Sequence, residues 1–138
     1  MSDKRLTTDS PDIAEIERPE IAFSIETEEE SQVIVHCSYT SAGSGDLIRI
    51  WPTTFLIPQN SSFKSQLIHA ENITLFPFWT EIPLGKTHTF TLVFQGLPRD
   101  CILFDMVEEI GQPGAFVVKN IRRNKTDVYH VEIPNSAL

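Results

Sequence analysis

The chain has 138 residues, 41% of them hydrophobic, and a formal net charge of −8. That length suits one domain and suffices for a core without a metal or disulfide framework. The charge is uneven: residues 1–30 hold ten acids and three bases, while the rest holds nine acids and eight bases. An acidic start and a near-neutral body argue against nucleic-acid binding, which needs clustered Lys and Arg.

Residues 1–19 are polar and acidic, with prolines at 11 and 19, and are expected to form a flexible leader. Ile21, Phe23 and Ile25 alternate with polar or small residues, the pattern of a half-buried strand. Val33, Val35, Cys37 and Tyr39 repeat it, and Thr40–Asp46 is rich in turn formers. Leu47–Trp51 predicts a strand that Pro52 stops or bends, because proline gives no N–H to a ladder. Thr53–Ile57 predicts another, ended by Pro58. Leu67–Ala70 and Ile73–Phe76 are short apolar runs, followed by a segment punctuated by Pro77, Pro83 and Gly85.

The cleanest pattern lies between residues 87 and 94. His88, Phe90, Leu92 and Phe94 fall on one face, and Thr87, Thr89, Thr91 and Val93 on the other. A loop at 96–100 leads to a strand over Ile102–Val107. The sequence GQPG at 111–114 predicts a turn. Phe116, Val118 and Ile121 continue a strand, and Val128–Ile133 is the last, stopped by Pro134. Eight to ten short strands with turns every eight to twelve residues, and no sustained helical period, predict an all-β domain. The expected architecture is a single immunoglobulin-like antiparallel β-sandwich over residues 20–134 with a tail at 135–138; a small β-barrel is the alternative.

The strand at Phe90, Leu92 and Phe94, the Leu97-Pro98 turn, and Phe104-Asp105 followed by Glu108 resemble small immunoglobulin-like β domains of bacterial proteins. Some of those domains precede thioredoxin-like modules. The resemblance spans about residues 48–121 and implies a fold without catalytic residues. The chain has no Cys-x-x-Cys, which puts a redox role in doubt.

Few residues invite chemistry. Asp105, Glu108 and Glu109 form an acidic group that reads as a solvated strand end, with Glu108 on the opposite face from the other two; acid/base chemistry or Ca²⁺ binding is the alternative. His36, His69, His88 and His130 form no local metal-binding pair, although ligands can be assembled from distant strands. Cys37 and Cys101 read as free, buried thiols, with one disulfide between them as the alternative. Sequons at Asn60, Asn72 and Asn124 carry little weight without a secretory signal. Lys119, Arg122, Arg123 and Lys125 are the one basic cluster, expected to be a solvated β-turn, with an anion or an acidic partner, the acidic leader included, as the alternative. Trp51, Phe55, Phe76, Phe78 and Trp79 form an aromatic group expected to cap the core at one end of the domain; Phe76, Phe78 and Trp79 lie in a proline-punctuated stretch where exposure would instead make an interaction surface.

The expected function is a non-enzymatic module that binds another protein or a second copy of itself. The alternative is a small-molecule or carbohydrate binder, or a hydrolase with a loop-built site. No cofactor or metal is expected, no nucleic acid and no membrane insertion. With neither a signal peptide nor a spanning segment in view, the expected location is the cytoplasm.

Overall fold

The computed structural model describes residues 31–42 and 45–135. The expected leader, the strand at Ile21–Ile25 and the last residues of the tail lie outside the described residues. Among the described residues there are nine strands: β1 (Val33–Thr40), β2 (Asp46–Ile48), β3 (Thr54–Pro58), β4 (Ser65–Glu71), β5 (Thr80–Ile82), β6 (Thr87–Phe94), β7 (Leu103–Glu108), β8 (Val117–Arg122) and β9 (Val128–Glu132). The fold is all-β, as the alternation predicts.

Seven strands form one sheet in the order β8-β7-β3-β4-β6-β1-β9, and β2 and β5 form a small second sheet. Period-2 patterning sets the register. Val33, Val35 and Cys37 of β1 lie opposite Phe94, Leu92 and Phe90 of β6, and all six are buried. The other face of β6 is threonine-rich and partly exposed. On β7, Phe104 and Met106 point inward with them.

The large sheet curls nearly into a barrel. Tyr129 of β9 meets Phe104 of β7 edge-on at 5.1 Å, although those strands lie near opposite ends of the sheet order. β8 and β9 do not pair, yet the turn between them is closed by side chains. Arg123 donates from Nε to Asp127 Oδ1 at 2.6 Å and from Nη2 to Asp127 Oδ2 at 3.1 Å. The Tyr129 hydroxyl donates to Asp127 Oδ1 and accepts the Asn124 N–H. β9 therefore enters beside β1 and pairs with it in parallel, unlike the remaining ladders.

The expected run at Ile73–Phe76 is not a strand. Only Leu75 bridges, in parallel, to Ile50. Ile50 N–H donates to Thr74 O and Phe76 N–H to Ile50 O, both at 2.9 Å. That single bridge lays the segment after β2 alongside the segment before β5. Among the described residues, no helix is long and apolar enough to cross a membrane.

Candidate functional site

Arg49 and Trp51 are two residues apart in an extended segment, so both side chains project from the same side. The Ile50–Leu75 bridge brings the Phe76–Trp79 stretch against them. Trp51 and Phe76 stack with centroids 3.8 Å apart and planes 17° from parallel. The Arg49 guanidinium lies 3.7 Å from the Trp79 centroid, 4.6 Å from Phe76 and 5.6 Å from Trp51. Its Nη1 donates to Pro77 O at 3.1 Å. The Thr74 and Thr80 hydroxyls, 2.9 Å apart, close the base of this loop.

The aromatic side chains remain open to solvent: Phe78 is 70% exposed, Trp79 50% and Phe76 41%. Leu47 on β2, Leu75, and Leu84 just after β5 are exposed beside them. These are six of the ten large apolar side chains exposed among the described residues. Their concentration on β2 and on the segments that flank β5 is not the scatter expected of an ordinary surface.

Glu108 holds the site from beneath. Its carboxylate accepts the Trp51 N–H at 3.0 Å, and its own N–H donates to Phe116 O. Burial pushes its carboxyl above the ordinary carboxylate value, against the Trp51 and Phe116 amides and the Arg49 charge, which favour ionisation. The expectation of a solvated acid at this position is corrected: Glu108 is 4% exposed. The face assignment holds, because Asp105 and Glu109 turn outward. Asp105 accepts the Asn120 N–H and Glu109 pairs with Lys64 at 2.9 Å.

Arg49, Trp51, Trp79, Glu108, Gln112 and Pro113 border a cavity of about 60 Å³. An open depression of about 430 Å³ runs along Gly45–Leu47 and Glu81–Leu84 and shares Leu47 with it. The first is far below the roughly 300–1,000 Å³ of small-molecule sites. The second has the volume but only two acidic side chains, of which Asp46 is taken by the Tyr39 hydroxyl.

The structure therefore gathers Phe76 and Trp79 with Trp51 and Arg49, leaves Phe78 exposed between them in sequence, and sets Phe55 apart beneath Lys64. The basic cluster divides. Lys119, Arg122 and Lys125 are exposed, whereas Arg123 is engaged with Asp127, Pro98 O and Cys101 O. The turn at 123–127 folds Arg123 inward, so it adds little to a basic surface. Cys37 and Cys101 are free and buried. Burial pushes the Cys37 thiol up to about 12 and also raises Cys101, which the Arg123 charge opposes and Asp100 reinforces.

No protein-family model, curated protein or solved structure matches the chain.

Proposed function

We propose that this domain is a non-enzymatic module that binds another protein through the Arg49–Trp51–Phe76–Phe78–Trp79 surface. The observation that carries the reading is the guanidinium held among three aromatic rings, two of them exposed. Trp and Arg dominate interface hot spots, and a pre-stacked arginine loses little freedom on docking. The small cavity beside it takes a side-chain tip more readily than a free ligand, which favours a protein partner over a sugar or metabolite. The likeness to bacterial immunoglobulin-like domains belongs to the same proposal, supported by β1, β6 and β7 packing their apolar faces into one core. So does a cytoplasmic setting, which unpaired Cys37 and Cys101 favour.

The test is quantitative affinity capture with wild-type protein and with Phe78→Ser/Trp79→Ser, followed by measurement of Kd with the purified partner. The expected result is a stoichiometric complex weakened at least about thirtyfold by the double change, corresponding to 2 kcal/mol or more. Unchanged affinity would move the interface elsewhere. A small molecule retained in native mass spectrometry and lost in the double variant would establish the ligand-binding alternative.

A further inference from the structure

The strand order sets a row of polar side chains on the outer face of the large sheet. Glu71 of β4 is opposite Thr91 of β6, Thr91 is opposite His36 of β1, and His36 is opposite His130 of β9. The two imidazoles come from positions 94 residues apart, so no local sequence spacing announces them. Their ring centroids are 5.0 Å apart. Two imidazoles bound to one ion through single nitrogens at roughly 2.0–2.1 Å, at a tetrahedral angle, have centroids about 5 Å apart. We propose that His36 and His130 form a surface site for a late divalent transition metal, Zn²⁺ foremost, with Ni²⁺ and Cu²⁺ sharing the same ligand chemistry.

A second contact orients the His36 ring. His36 Nδ1 and Thr91 Oγ1 are 2.9 Å apart. In the tautomer that donates Nδ1–H to Thr91, Nε2 carries the lone pair, the arrangement in which a neighbouring oxygen fixes a ligating ring. His130 is exposed, so the outer side of the site is open to solvent. Among the described residues, no group of three or more His, Cys, Asp or Glu comes together. The metal would therefore keep open positions for water or a further ligand, and the site differs from a closed structural zinc centre.

The remaining soft ligands are not paired in this way. The chain has four histidines and two cysteines. Both thiols are buried. His88 Nε2 lies 2.6 Å from Asn72 O, and His69 Nε2 lies 3.2 Å from Glu71. Among the described residues, His36 and His130 are the one pair of imidazoles in ring contact.

The experiment is calorimetric titration of the untagged protein with Zn²⁺ just above neutral pH, in a weakly chelating buffer. One saturable site per chain is expected, about tenfold or more tighter than in either His36→Gln or His130→Gln, because the second imidazole acts at high effective concentration. His69→Gln should bind as wild type does. Thr91→Val should weaken binding about tenfold and Thr91→Ser should restore it, since the hydroxyl sets the ring. His36 is half-buried, so a thermal melt verifies that its variant folds; exposed His130 supplies the independent test. Absence of a saturable site, undiminished binding by His130→Gln, or loss of binding in His69→Gln would overturn the assignment.

Discussion

The carboxylate of Glu108 accepts the backbone N–H of Trp51 at 3.0 Å across 57 positions of sequence. One buried acid at the end of β7 thereby fixes the extended segment that presents Arg49 and Trp51. The same residue borders the cavity beneath Trp79. Core, support and exposed surface meet at this bond, so the geometry of the patch depends on a side chain that a partner need never touch.

Replacing Glu108 should expose that dependence through pH. Its raised folded value means that the native state holds the proton more tightly than the unfolded chain does. Its stabilising contribution is full below the ordinary value of 4.5 and is lost as pH rises through the raised folded value. Glu108→Gln keeps an acceptor for Trp51 and does not ionise. Its Tm relative to wild type should therefore rise with pH across that window and then level off. Glu108→Ala removes the acceptor and should cost about 2–4 kcal/mol in denaturant titrations, through unpaired buried amide and lost packing.

The Arg123–Asp127 pair closes the turn between β8 and β9, with side chains only 18% and 17% exposed. Arg123→Met would leave Asp127 without its cation and the Pro98 and Cys101 carbonyls without its N–H donors. The expected loss is about 2–3 kcal/mol, in the range for breaking a largely desolvated pair. Lys119→Met, on an exposed position of β8, should change stability by less than about 0.5 kcal/mol. Equal losses in urea titrations would refute this division of the basic cluster.

How legible these features are depends on how local their cause is. Alternation in Val33–Tyr39 and Phe90–Phe94 marks strands and faces because a strand's period is fixed by its own backbone. The aromatic surface is half legible: Phe76, Phe78 and Trp79 stand in a proline-punctuated stretch, but Arg49 joins them only through the Ile50–Leu75 bridge. The Arg49-x-Trp51 spacing, which puts both on one side, is the available signal. Glu108 follows the inward positions Phe104 and Met106 at a spacing of two, yet its charge argues for solvent. Hydrogen bonding to Trp51, a tertiary event, outweighs that preference. The His36–His130 pairing and the parallel β1–β9 ladder need the full strand order and leave no local trace.

Both cysteines should be inert in the native protein. Cys37 is 2% and Cys101 3% exposed, and burial raises both thiols. A disulfide-exchange reagent at pH 8 should modify neither within minutes, and both once denaturant is added. Fast modification of Cys101 alone would show that the Pro98–Cys101 loop opens under native conditions.

Stability and binding should separate cleanly between the aromatic surface and the core. Phe104 is fully buried against Tyr129, and Phe104→Ala should cost about 3–5 kcal/mol, transfer and cavity effects together. Phe78 is 70% exposed, so Phe78→Ser should change the unfolding free energy by less than about 0.5 kcal/mol. Trp79→Ser forfeits the stacking with Arg49 and should cost about 1 kcal/mol. The measurement is urea unfolding followed by circular dichroism on all three variants. A large loss in Phe78→Ser would mean that its ring packs as core, and the loop would then be a lid over the domain rather than a surface offered to a partner.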